Sequence, residues 1–184
     1  LSVGSEVVLP VENIDPVTSL YNVYEFLNQI KRIHREHIPV DILVIGISGF
    51  HLVNDTYGYE NGNKLLLNLA QQLQNLATED VMLFRLNGMK LAFMLPCSSR
   101  SAVRKLYDTV LNILKNELSL EGQPIKLYFA ASAVHYEGTQ EDGSTLLSEL
   151  DYLIEMSKKE KSGELIYVDE HHDDSPRHRL DVLG

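Results

Sequence analysis

Three places in this 184-residue chain hold residue types that could do chemistry. Residues 85–93 read RLNGMKLAF, an Asn-Gly pair with Val81, Leu83 and Phe84 before it and Leu91, Phe93 and Leu95 after it. Asn87 and Gly88 both tolerate positive φ, so the spacing predicts a β-hairpin closed by a tight two-residue turn. Such a turn puts backbone at a sheet edge where a ligand could approach. The side chains that follow it are Met89 and Lys90, however, and neither can hold a hard metal ion. Lys90 could touch a phosphate as a point charge, although a solvated hairpin lysine is the plainer reading. In the tail DEHHDDSPRHRLDVLG, His171, His172 and His178 stand near Asp173 and Asp174, which are metal-ligand types, but a solvated linker accounts for them more simply. Cys97 is the single cysteine, which excludes a disulfide framework or a multi-cysteine zinc site and leaves it the role of a small hydrophobe.

The whole chain narrows the function classes. Its length suits one domain with a sizeable core. A net charge of -10 would repel a long polyanion, so a phosphate-tracking nucleic-acid binder is excluded and no basic patch offsets this. The cysteine usage fits a reducing, cytoplasmic setting. No apolar run reaches membrane-spanning length, so no membrane contact is expected within this stretch. The chain begins without Met, which suggests a fragment whose anchor or further domains lie outside it.

The elements that must position these residues follow from periodicity. Residues 1–13 form a connecting arm, and Leu20, Val23, Leu27 and Ile30 recur at helical spacing. After Pro39, VDILVIGI is a continuous apolar run, expected as a strand buried on both faces. A turn through Asn54, Asp55 and Gly58 leads to a helix with Leu66, Leu69, Ala70, Leu73 and Leu76 on one face. The hairpin comes next. Pro96 and the SSRS cluster cap a third helix with Val103, Leu106, Val110, Ile113 and Leu114 inward. IKLYFAASAV is a strand, Leu147, Leu150, Ile154 and Ser157 mark a fourth helix, and LIYV closes the sheet before the polar linker at 170–184. The order implies an α/β (α+β) domain with a mixed sheet of about five strands, flanked by helices.

In this order the local stretches resemble the GGDEF domain, the family of bacterial diguanylate cyclases that condense two GTP molecules into cyclic di-GMP. The resemblance covers residues 14–169. IDPVTSLYN is similar to the family's opening motif through Asp15, Thr18, Leu20 and Asn22. GISGFHLVNDTYGYENGN is similar to the central motif, with Phe50, Asn54, Asp55, Gly58 and Gly62 in register. LDYLIEMSKKEKSG matches a late motif at Asp151 and Lys158. RLNGMKLAF then stands at the signature itself: Asn87, Gly88, Met89, Lys90 and Leu91 occupy the Gly-Gly-Asp/Glu-Glu-Phe positions, and only Gly88 agrees.

The resemblance implies where chemistry has been lost. In the family the carboxylates that hold magnesium come from the end of the first strand and from the hairpin; here those positions are Gly46 and Met89, with Ser48 and Lys90 beside them. Phosphoryl transfer depends on such metal stabilisation, so the expectation is a degenerate, catalytically silent domain with magnesium binding weak or absent and no resident cofactor. Binding could outlast catalysis. Phe50, Asn54, Asn63 and Lys158 are the nucleotide-binding candidates, with Asn54 at the guanine-contacting position and Asn63 in place of an Asp. An Asx turn at Asn54 and a helix-dipole role for Lys158 are the structural alternatives. The family's inhibitory Arg-x-x-Asp motif is replaced by Thr78 and Val81, so feedback by cyclic di-GMP there is not expected. The implied partners are GTP, an attached signalling domain such as an EAL phosphodiesterase, and a second copy of the chain. Two alternatives stand beside this: an active cyclase with relocated ligands such as Asp55, and a purely structural dimerisation module.

Overall fold

A computed structural model of the chain describes residues 11–116, 119–138, 142–159 and 164–168. After a 3-10 turn at Val11–Asn13 come α1 (Val23–Glu36), β1 (Val40–Ser48), α2 (Phe50–Tyr57), α3 (Tyr59–Gln74), β2 (Met82–Arg85) and β3 (Lys90–Pro96). They are followed by α4 (Arg100–Asn116), a two-residue ribbon of β4 (Ser119–Leu120) and β5 (Gln123–Pro124), β6 (Tyr128–Tyr136), α5 (Gly143–Lys159) and β7 (Leu165–Tyr167). The main sheet has five strands in the order β2-β3-β1-β6-β7, with the last pair parallel and the others antiparallel. The mixed five-stranded sheet expected from the sequence is therefore observed.

β1 is the axis of this sheet. It is buried along Val40–Ile47 because strands cover both its edges and helices both its faces. Leu43, Ile45 and Ile47 point to one face, where they meet Val53, Leu69, Tyr107 and Val110; Ile42 and Val44 point to the other and meet Phe26, Ile30, Leu150 and Ile154. That alternation is the two-residue period of a strand, and a continuous apolar run is what burial of both faces requires. Helix faces fall close to those expected. On α1 the buried stripe is Phe26, Ile30 and Ile33, with Val23 and Leu27 at its margin. On α4 Tyr107 joins Val103, Val110 and Leu114, while Leu106 and Ile113 are only partly buried. Ser99 caps α4, its Oγ accepting the Ala102 amide at 3.1 Å.

Several expectations need correction. The segment through Asn54 is helix α2 rather than a turn; Gly58, at φ 86°, ends it and begins α3. The ribbon of β4 and β5 had no apolar pattern to reveal it. The hairpin loop has three residues: the Leu86 amide donates to the Lys90 carbonyl at 2.8 Å, and within Asn87, Gly88 and Met89 only Gly88 has positive φ. Cys97 is exposed and is not part of the core. Apart from Val11–Asn13, the arm at 1–13 and the linker and histidines at 170–184 lie outside the described residues. No described helix is long and apolar enough to cross a membrane.

The segment before α1 is fastened to the hairpin across the sheet edge. Arg85 Nη1 lies 3.2 and 3.1 Å from the two oxygens of Asp15, whose Oδ2 also accepts the Thr18 amide at 2.9 Å and its hydroxyl at 2.8 Å. The Arg85 amide donates to Tyr21 O at 2.7 Å, and the Tyr21 and Phe84 rings pack 5.8 Å apart. Burial pushes the Asp15 carboxyl upward, but the Thr18 hydrogen bonds and Arg85 outweigh it and hold the group below its ordinary value. A lowered folded-state value stabilises the fold above the ordinary carboxylate range, and that contribution disappears as pH falls through the folded value. Asp15→Asn should lower stability by about 1–2 kcal/mol at neutral pH. In urea titrations the wild-type advantage should shrink as the solution is acidified into the carboxylate range; an advantage independent of pH would contradict this account.

Candidate functional site

The C-terminal end of β1, the hairpin tip, the start of α2 and the last turns of α5 meet at one end of the sheet. Register fixes the first contact, since Gly46 lies directly opposite Lys90 on β3 and Ala130 on β6. One residue on, the Ile47 amide donates to Met89 O at 2.8 Å, joining the hairpin tip to the strand end. Gly46 faces α5. A Cβ placed on it would come within 2.7 Å of Ile154 Cγ2, 3.4 Å of Lys158 Cε and 3.6 Å of Lys158 Nζ. A side chain cannot be added there unless α5 gives way, so the position is filled by its neighbours as well as lacking an acid.

The charge around Gly46 is also changed. Lys90 is not a solvated hairpin lysine, contrary to the reading from sequence: its side chain is 19% exposed and Nζ lies 3.3 Å from Asp151 Oδ1 on α5. The cause is its register, because a residue opposite Gly46 shares that residue's face and so points to α5. Lys158 lies over the same strand end with Nζ 3.3 Å from Glu155 Oε1. Its place near the helix end suits the α5 dipole. Two ammonium-bearing side chains thus flank Gly46. Met89 turns toward Arg85, whose Nη2 approaches its sulfur at 3.8 Å.

The other side of the site keeps more of its polar equipment. Asn54 sits inside α2, where its carbonyl accepts the Gly58 amide at 2.8 Å, and its side chain has no hydrogen-bond partner among the described residues. The Asx-turn alternative is therefore not what the carboxamide does. It occupies the space over Gly62, where a Cβ would fall 1.9 Å from Asn54 Oδ1. Asn63, the next residue on α3, is exposed. The structure so brings the two amides onto adjoining turns of α2 and α3, each able to donate and accept. Phe50 differs from expectation: its side chain is 6% exposed and belongs to the core. Only its main chain can face a ligand, as part of a helix start whose first amides have no carbonyl one turn earlier to bond. Asp55 is exposed on α2.

Two contributors escaped the sequence reading. Arg85 lies inside RLNGMKLAF, two residues before the turn, and its charge on an otherwise apolar strand was the available signal. Ile154 carried none, because an isoleucine on a helix stripe looks the same whether it fills a core or a vacated ligand position.

The site can present neutral donors and acceptors to a base edge and lysines to an anion, and it offers no carboxylate at the strand end or hairpin for a divalent cation. The comparisons agree with the fold. The family model for the diguanylate cyclase GGDEF domain matches residues 12–164. An uncharacterized membrane protein of Staphylococcus aureus is 33% identical over 103 residues, which are 54% of this chain and 29% of that protein, so the chain spans well under a third of that relative's length. The solved coiled coil and GGDEF domain of DgcB from Caulobacter crescentus, in complex with c-di-GMP, is similar with a TM-score of 0.74 at 18% identity, covering 85% of each chain. The GGDEF domain of TpbB (YfiN) from Pseudomonas aeruginosa gives 0.73 at 22% identity, covering 84% of this chain and 93% of the other. Diguanylate cyclase SiaD of the same species, solved with its activator SiaC, gives 0.73 at 18% identity over 84% and 61%. At such identities these structures share the fold. The family match, by contrast, runs unbroken from the turn before α1 past the end of α5, and by it this chain belongs to the GGDEF family of cyclic di-GMP signalling domains.

Proposed function

We propose that this domain has lost cyclase chemistry and serves as a regulatory module that takes GTP without turning it over. The observation that carries this is the refilled strand end: Gly46 is backed by Ile154, and Lys90 and Lys158 stand beside it with their own carboxylate partners. Condensing two nucleotides needs negative charge stabilised on attacking and leaving oxygens, and metal ions do most of that work. Like charges within a few ångströms oppose a divalent cation, so magnesium binds here weakly or not at all. The lysines can still meet a triphosphate, and Asn54 and Asn63 can still meet guanine with neutral hydrogen bonds. GTP binding that depends little on magnesium is the result.

The regulated activity lies outside this stretch. An attached domain such as an EAL phosphodiesterase, on a cytoplasmic segment of a membrane-anchored protein, is the setting we favour; the S. aureus relative is described as a membrane protein. A homodimer is compatible with the same role. Titrating GTP calorimetrically, first in EDTA and then in magnesium, should give saturable binding tighter than millimolar in both. Asn54→Ala should weaken it about tenfold, the loss of roughly 1.4 kcal/mol of hydrogen bonding. Affinity no better than millimolar would favour the purely structural dimerisation module. Cyclic dinucleotide formed with magnesium or manganese, and abolished by Asp55→Ala, would return the domain to the enzymes.

Restoring the acid tests the same site from the opposite direction. Gly46→Asp should cost about 1–3 kcal/mol through overpacking against α5. Ile154→Ala should cost about 2–5 kcal/mol as a core truncation. Combined, they should cost clearly less than their sum, because each relieves the other. Additive urea midpoints would show that Ile154 does not set the space at Gly46.

A further inference from the structure

At the opposite end of β1 from Gly46, three strands bring together side chains that the nucleotide site does not use. Asp41, the second residue of β1, pairs with Leu95 on β3 and with His135 on β6. Directly opposed residues share a face, and Cys97, two residues beyond Leu95, continues the same face past the end of β3. One ligand atom from each of Asp41, Cys97 and His135 lies within 4.8 Å of the other two. From this geometry we infer a site for one thiophilic divalent cation of the zinc class, bound by Asp41 Oδ1, His135 Nδ1 and Cys97 Sγ with the fourth position open to solvent.

The donor set selects that class. Thiolate, imidazole and carboxylate together suit zinc or cobalt, whereas magnesium and calcium call for oxygen ligands alone. Spacing agrees. Donors about 2.0–2.3 Å from a tetrahedral ion stand roughly 3.3–3.7 Å apart, and His135 Nδ1 is already 3.0 Å from Asp41 Oδ1. Cys97 Sγ stands within the same 4.8 Å and has to draw in toward the pair to reach ligand distance.

The surroundings orient these ligands. Asp41 is 5% exposed, and its second oxygen accepts the Ser98 amide at 2.6 Å and the Ser98 hydroxyl at 3.1 Å, so Oδ1 is left facing His135. His135 Nε2 stands 3.4 Å from Glu137 Oε1. With Nδ1 on a metal, the remaining ring proton sits on Nε2 and is donated to that carboxylate, the arrangement in which an outer carboxylate fixes a metal-bound histidine. Cys97 is exposed and gives an ion its way in. Such an ion would pin the start of β1 and the exit of β3 to the end of β6, at the opposite end of β1 from Gly46.

Titrating cobalt(II) into the reduced chain, with zinc as competitor, tests the site by absorption. One equivalent should produce four-coordinate ligand-field bands in the visible and a thiolate-to-cobalt charge-transfer band in the near ultraviolet, and zinc should bleach both. Cys97→Ser, at an exposed position, should remove the charge-transfer band. Glu137→Gln should keep the band and weaken binding by about ten- to a hundredfold. Changing His171, His172 and His178 together to Ala should leave the spectrum as it was. Absence of a charge-transfer band, its survival in Cys97→Ser, or its loss with the tail histidines would each overturn the assignment.

Discussion

The pairing of β1 with both its neighbours is the constraint on which the rest of the domain depends. Nine residues, covered on both faces and hydrogen-bonded along both edges, cannot slip by one position without exchanging the side chains of two differently packed cores. That register decides which residues meet. It places Gly46 against Lys90 at one end and Asp41 against His135 at the other, with only apolar side chains on β1 between them. The hairpin inherits its aim from β1 through Ile47 and Met89, and Asp15 and Arg85 fasten the preceding segment to it. Both polar sites are therefore set by one buried strand.

Electrostatically, the strand end at Gly46 is a set of paired charges and not simply a place without an acid. At this strand end the chain places the ammonium groups of Lys90 and Lys158, and acids on α5 face them. Partly buried charges left without partners would be costly, and Asp151 and Glu155 supply the counter-charges for Lys90 and Lys158. These pairs rest on surface-accessible carboxylates, which keeps their stabilisation modest; their effect is on what the site attracts.

Much of the fold was legible because its signals are local. A continuous apolar run could only be a strand buried on both faces, and the leucine-rich stretches kept helical periodicity through α3 and α4. The hairpin was visible in Asn87 and Gly88, although the loop length was not: a three-residue loop needs only Gly88 in the left-handed region, and the Asn-Gly pair suits either geometry. Helix α2 was hidden because its eight residues are too short to show a period and because Asn54, Asp55 and Gly58 are turn formers. At the site, that Gly46 and Met89 carry no acid could be read from the chain. The filling of the space by Ile154 and the pairing of Lys90 with Asp151 could not, since they are consequences of α5 crossing β1.

On the reading proposed above, the packing of Ile154 against Gly46 gives the loss of the acid a direction in evolution. A glycine alone leaves a vacancy that a single codon change could reverse. Once an isoleucine from the opposing helix has settled against it, the reversal meets a steric barrier, and an intermediate sequence must pass through a destabilised fold. The packing thus acts as a ratchet: selection for a well-filled interior, with no reference to nucleotides, is enough to keep this strand end from regaining its acid.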